Sequence, residues 1–225
     1  MVAHGARHLL FISRSGDSKP QAWSVLEELQ AAGWDAQVLA VNIGDDTALE
    51  NALTACSKTM PPIRGCIQGA MTRLDSTFET MTPSLFERCI KPKVQGSWNL
   101  HRALPLDIDF FIMLSSCAGI VGGRAQTNYN AGNAFQDALA HHRQSQGLQA
   151  TTLDLGHMQG VGILAERTDG LFDRAVCTTF GKQVVSENES HALLEYYCRL
   201  VNLDNCAQTA VGLCTREQFV VDNIT

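Results

Sequence analysis

Ser116, Tyr129 and Asn133 have the types and spacing needed to move a proton onto a carbonyl oxygen. Ile108 to Leu114 is an apolar run of strand length with no charge after Asp109, which reads as a strand buried on both faces of a parallel sheet. The run stops at Ser115 and Ser116, which places their hydroxyls at the strand's carboxyl end, where open α/β sheets keep their ligand crevice. A helical pattern from Thr127 to Gln146 then puts Tyr129 in its first turn, with Asn133 four residues on and on the same face. A serine hydroxyl can hold a carbonyl oxygen while a phenol delivers the proton. With an ordinary pKa of about 10, however, tyrosine is a poor acid–base group at neutral pH, so a nearby ammonium must stabilise the phenolate.

Alternating strands and helices surround this stretch. Strands are expected at Arg7 to Ser13, Asp35 to Ile43, Ile63 to Ile67, Ile108 to Leu114, Ala150 to Leu155 and Thr209 to Leu213. Helices are expected at Gln21 to Ala32, where Ala22, Val25, Leu26 and Leu29 keep helical spacing, and at Thr47 to Lys58. A third runs from Pro83 to about Ala103 and is kinked at Pro92; a later one opens on a Ser186/Glu189 capping box and reaches Val201. Parallel connections need crossovers of a dozen or more residues, so the fold class is α/β with a doubly wound parallel sheet. A polar segment, Glu166 to Asp173, suits a lid.

The composition narrows the function classes. The 225 residues and 45% apolar content allow one domain with a real core. A net charge of −6 without a basic cluster argues against nucleic acid and anionic membranes. No apolar stretch is long enough to span a bilayer, and no signal-peptide pattern opens the sequence, so a cytoplasmic protein is expected. The eight cysteines form no C-x-x-C pair and read as buried free thiols; the adjacent His141 and His142 cannot ligate as an i, i+4 pair, and no metal is expected.

The sequence YNAGN from Tyr129, preceded by Ser116 and by KPKV from Lys91 to Val94, resembles the ketoreductase domains of polyketide synthases, members of the short-chain dehydrogenase/reductase superfamily. In those domains asparagine stands four residues after the tyrosine, and the lysine comes from the preceding long helix in a Pro-Lys-Val context. The resemblance therefore implies a catalytic set of Ser116, Tyr129, Lys93 and Asn133. It covers nearly the whole chain, and IQGAM with NAGNAFQDALA is similar to fungal highly reducing synthases. The implied activity is NADPH-dependent reduction of a β-ketoacyl thioester to a β-hydroxyacyl thioester. The implied partners are a substrate carried on an acyl carrier, other polyketide synthase domains and a polypeptide segment upstream.

For the cofactor, the resemblance implies contacts from Ser13 and Arg14, the arginine meeting the 2′-phosphate of NADPH; without the resemblance, Arg14 is a solvated turn residue. Asn42 and Ile43 fall where the family holds adenine, although aspartate is more usual than Asn42. Gly69 and Ala70 follow the third strand and admit the nicotinamide ribose by close backbone approach, and Gly156 opens a glycine-containing loop after the fifth strand.

The departure from the family lies at the start. Members begin with a strand, a glycine-rich turn and a helix whose N-terminus binds the pyrophosphate, and no such glycine run occurs in these residues. Residues 1–225 thus read as a single ketoreductase-like domain, N-terminally incomplete, with its first strand and helix lacking. The lost strand belongs between the family's second and fourth strands, so a gap of roughly 10 Å is expected in the sheet centre. Three states fit: a fragment of a longer ketoreductase, a chain completed by another polypeptide, or a relic. The alternative function is a non-catalytic relic or interaction module that keeps the same residues as packing. A nucleotide-sugar epimerase fits less well, because those proteins generally keep lysine at the position of Asn133.

Overall fold

A computed structural model describes residues 5–18, 20–158, 184–199 and 206–213 of the chain. The strands are β1 (His8–Ser13), β2 (Asp35–Ala40), β3 (Gly65–Gln68), β4 (Phe110–Ser116), β5 (Thr151–Leu155), β6 (His157–Met158), β7 (Val184–Val185) and β8 (Gln208–Val211). The helices between them are α1 (Pro20–Ala31), α2 (Asp46–Cys56), α3 (Pro83–Ile90), α4 (Gln95–Ala103), α5 (Ala118–Val121), α6 (Thr127–Ser145) and α7 (Glu187–Tyr197). Every strand pair among the described residues is parallel, and helices flank the sheet, as the alternating pattern predicts. The expected lid, Glu166 to Asp173, lies outside the described residues.

Local chemistry sets the helix ends. Asp45 accepts a hydrogen bond from the Ala48 N–H at the start of α2, and Thr82 accepts one from Leu85 ahead of Pro83. Ser186 and Glu189 close the expected capping box on α7. The single kinked helix expected from Pro83 to Ala103 is instead two helices. Pro92 has no N–H to donate, and residues 91–94 form a turn in which Lys93 and Val94 both donate to the Ile90 carbonyl. Lys93 therefore sits in a junction between helices.

The sheet falls into two main pieces. Among the described residues β1 pairs only with β2, and the second sheet runs in the order β3-β4-β5-β8, with a small β6-β7 pair beyond what the pattern suggests. β1 and β3 do not bond to each other, so the sheet is interrupted between them. The core nevertheless crosses the break: Ile12 of β1 and Cys66 of β3 pack on one cluster built around Leu49, Leu100, Ile108, Phe111 and Met113. With a two-stranded sheet beneath it, α1 buries Leu26 but leaves Val25 49% exposed, contrary to its place on the expected apolar face. Phe11 of β1 is likewise 42% exposed.

Arg143 on α6 is a core residue that its charge conceals in the sequence. It is 1% exposed, lies 4.2 Å from the centroid of the Phe111 ring, and donates to the Gln149 carbonyl and His101 Nδ1. Among the described cysteines, Cys56, Cys89 and Cys117 are buried and Cys66 and Cys198 partly so; Cys206 is exposed, against the expectation of burial. Cys177 and Cys214 lie outside the described residues.

Strand alternation identifies the unpaired groups. The Arg7 and Ser13 carbonyls face β2 and the Arg64 carbonyl faces β4, so the N–H groups of Leu10, Ile12 and Ile67 face the interruption. These amides are expected to exchange with solvent deuterium faster than those of Phe11 and Cys66, which point into the ladders. Equal protection across the two sets, read by amide-resolved exchange, would contradict the interruption.

Candidate functional site

The candidate residues follow the carboxyl ends of successive strands. Ser13 and Arg14 end β1, Asn42 and Ile43 follow β2, Gly69 and Ala70 follow β3, Ser116 ends β4, and Gly156 follows β5. The β2 loop is tied to the α3–α4 junction: the Ile43 carbonyl accepts from Asn99 Nδ2 at 2.9 Å, and a Cβ on Gly44 would stand 3.0 Å from the Lys91 side chain. Ile43 is itself buried in the core cluster. Asn42 turns its side-chain oxygen to the Gly44 N–H at 3.1 Å, making a local turn. Arg14 is exposed, and Ser13 donates to the Gly16 carbonyl.

Gly69 and Gly156 differ in what surrounds them. A Cβ on Gly69 would meet Leu114 Cδ1 at 3.3 Å, a contact a side chain can relieve. At Gly156 it would meet the carbonyl oxygens of Val211 and Gly212 at 2.9 and 3.0 Å, so this glycine lets β8 approach its backbone. The geometry thus gives Gly156 a packing duty.

Helix α6 supplies both Tyr129 and Asn133. Its start is docked by the loop after β3: Asn128 Nδ2 donates to the Leu74 carbonyl at 2.9 Å, and Ser76 N–H donates to the Ala125 carbonyl at 2.8 Å. Ser116 Oγ accepts from the Ala118 N–H, which turns the chain out of β4 into α5. Asn133 is fully buried, and α5 presses on it, since a Cβ on Gly119 would stand 2.9 Å from the Asn133 Cβ. Its amide lies close enough to Tyr129 to lower the phenol's pKa, yet neither polar atom makes a well-formed hydrogen bond.

Lys93 is 2% exposed. Its Nζ donates to the Leu114 carbonyl at 2.7 Å and to Gln136 Oε1 at 2.9 Å, and it lies 5.7 Å from the centroid of the Tyr129 ring. Gly132 makes room for its stem: a Cβ there would stand 3.2 Å from the Lys93 Cβ. The four residues of the expected catalytic set therefore gather on β4, α6 and the α3–α4 junction.

The electrostatics differ from the expectation in one respect. Burial pushes the Tyr129 pKa above its ordinary value, and the nearby Ser116 hydroxyl and Asn133 amide, with the charge of Arg73, pull it back only in part. Arg73 lies in the loop after β3, and its effect on the phenol depends on tertiary placement that residue spacing does not reveal. Lys93 itself is pushed down to about 8 by burial, against the upward pull of Asp137, Asp154 and Cys89. Beneath it, burial and the neighbouring Asp154 raise Asp137 to about 6, while the hydroxyls of Ser115 and Thr152 oppose the rise. Sequence periodicity marked this layer only as a buried helix face and strand. No group of three or more potential metal ligands occurs among the described residues.

The profile of the KR domain family matches residues 1–160. The chain is 42% identical over 224 residues to highly reducing polyketide synthase 40 of Fusarium mangiferae, an alignment covering 95% of this chain and 9% of that protein. It is 44% identical over 197 residues to the 6-hydroxymellein synthase cdmE of Talaromyces verruculosus, covering 88% of this chain and 7% of that protein. The chain thus spans less than a tenth of the length of these relatives. Among solved structures it superposes with a TM-score of 0.81 on a ketoreductase from the first module of phoslactomycin biosynthesis in Streptomyces sp. HK803, at 28% identity, covering 96% of this chain and 49% of that one. A ketoreductase domain from the bacillaene assembly line has a TM-score of 0.82 at 22% identity, covering 98% of this chain and 53% of that one, a likeness of fold.

The buried carboxylate yields a prediction. Asp137 has a folded pKa above its unfolded one, so its stability penalty is absent below the unfolded value, about 4, and sets in as pH rises through about 6. Asp137→Asn is expected to raise the unfolding temperature relative to the parent at pH 8 and to lose that advantage by pH 4. An advantage constant from pH 4 to pH 8 would contradict the assignment.

Proposed function

This chain belongs to the KR domain family, and from that premise we propose that it reduces a β-ketoacyl thioester to a β-hydroxyacyl thioester, using NADPH, within polyketide and secondary-metabolite biosynthesis. The observation that carries the reading is the convergence of Ser116, Tyr129, Asn133 and Lys93 at the carboxyl end of β4. When bound, NADPH supplies the hydride. The residues present fit such a cofactor: Arg14 exposes its guanidinium at the end of β1, where a 2′-phosphate would be met, and Gly69 leaves bare backbone at the end of β3. Lys93 spends two of its three N–H donors on Leu114 and Gln136, which leaves one for a ribose hydroxyl.

In this reading Ser116 holds the substrate carbonyl oxygen and Tyr129 delivers the proton to it. A raised phenol pKa keeps Tyr129 protonated, which suits a proton donor in the reducing direction. Asn133, buried with an unsatisfied amide, is placed to orient Lys93 or a relay water. The substrate is carried as an acyl thioester by a carrier domain, and the partners are other domains of a polyketide synthase.

A second reading, a non-catalytic relic or interaction module that keeps the same residues as packing, draws support from the two hydrogen bonds that already hold the buried Lys93 to Leu114 and Gln136. NADPH affinity separates the two. Residues 1–225 preceded by a strand, glycine-rich turn and helix are expected to bind NADPH, read by fluorescence. No activity even with that segment would favour the module; micromolar NADPH affinity and robust turnover without it would show that the segment is dispensable.

In an active form of the protein, Tyr129→Phe is expected to cut reduction of a β-ketoacyl thioester mimic by about 10² to 10⁴ while the fold is retained, and Ser116→Ala to leave a measurable residue. Near-normal turnover by the phenylalanine variant would refute the proton-donor role. Arg14→Ala is expected to weaken NADPH far more than NADH; equal losses would mark the arginine as structural.

A further inference from the structure

The α3–α4 junction, β3 and α6 enclose a chain of uncharged polar groups that ends on Lys93. Gln68, Ser97 and Gln136 are 2%, 0% and 0% exposed, respectively. Gln136 Oε1 accepts from Lys93 Nζ at 2.9 Å, and its Nε2 donates to Ser97 Oγ at 3.1 Å. Gln68 Nε2 donates to the same Ser97 oxygen at 3.1 Å and to the Pro92 carbonyl at 2.9 Å. The Ala70 N–H completes the chain by donating to Gln68 Oε1 at 2.6 Å.

Both ends of this chain have a fixed hydrogen-bond sense. Lys93 can only donate, so Gln136 must present its oxygen to the lysine and its nitrogen to Ser97. At the other end the Pro92 carbonyl can only accept and the Ala70 N–H can only donate, so Gln68 has one satisfactory orientation. Ser97 accepts from both amides. Both amides are therefore held in a single orientation, which makes a buried polar network rigid.

We propose that Gln136, Ser97 and Gln68 are positioning residues that fix the direction of the Lys93 ammonium and tie it to the backbone after β3 at Gly69 and Ala70. The inference rests on the reductase reading for its purpose, since it puts the lysine's remaining donor in register with the loop assigned to the nicotinamide ribose. Uncharged partners are the point of the arrangement. Burial already pushes Lys93 down to about 8, and its charged neighbours are Asp137 on α6 and Asp154 on β5, with the titratable Cys89 on α3 and Tyr129 on α6. An amide oxygen directs the ammonium without adding a further carboxylate.

The test reads the lysine itself. In protein carrying ¹³C-labelled lysine, the Lys93 side-chain resonance is followed against pH in the parent, in Gln136→Glu and in Gln136→Leu. The near-isosteric glutamate is expected to raise the Lys93 midpoint by about one pH unit or more, and leucine to lower it, since it removes one of two acceptors. Ser97→Ala is expected to shift the Ala70 amide proton and speed its exchange, although residue 97 does not touch residue 70. Unchanged Lys93 midpoints in both Gln136 variants, or an Ala70 amide indifferent to Ser97→Ala, would overturn the proposal. None of these readouts uses turnover, so a chain that reduces nothing still shows the shifts if the network is right, and an active chain without them refutes it.

Discussion

A buried ammonium has to be satisfied, and much of the site is arranged to satisfy the one on Lys93. Leaving such a group without partners costs several kcal/mol by order of magnitude, so the surrounding backbone is constrained as tightly as the side chain. Pro92 ends one helix and holds Lys93 in a junction with an inward path; Gly132 on α6 keeps that path open; β3 ends at Gln68, opposite Met113, and the next carbonyl of β4, that of Leu114, receives the charge. The same β4 terminus delivers Ser116, and the same α6 face delivers Tyr129 and Asn133. Satisfying the lysine and assembling the site are one packing problem.

That assembly has an electrostatic character of its own. Tyr129 is raised by burial, and Lys93 spends two hydrogen bonds on Leu114 and Gln136. The pair therefore suits proton delivery from a neutral phenol better than a standing phenolate. Beneath them lie Asp137 and Asp154, two carboxylates whose mutual repulsion helps to raise Asp137 and whose fields hold up the lysine pKa. Charge in this layer is balanced by geometry that spans β5, α3 and α6.

β1 and β3 are joined by apolar contact rather than by a ladder: among the described residues each presents one unpaired edge while both pack on a single apolar cluster. Hydrophobic contact is non-directional and can bridge the interruption; hydrogen-bonded ladders cannot.

The amino-acid sequence by itself determined the parallel α/β class, most element positions, the capping box on α7 and the placing of Ser116, Tyr129 and Asn133 about β4, because these follow from local periodicity, turn chemistry and motif spacing; Lys93 joins them through the resemblance to the ketoreductase family. Only the tertiary structure decided that Pro92 separates two helices, that Gly156 serves packing, that Tyr129 is raised, and that Arg143, Asp137 and the Gln68–Ser97–Gln136 network are interior. Burial and cross-strand partners set those properties: Gln136 lies 43 residues from Lys93 along the chain and 2.9 Å from it in space. A polar residue's letter does not say whether water or a neighbour will satisfy it; the fold settles that by bringing distant donors and acceptors within hydrogen-bond reach.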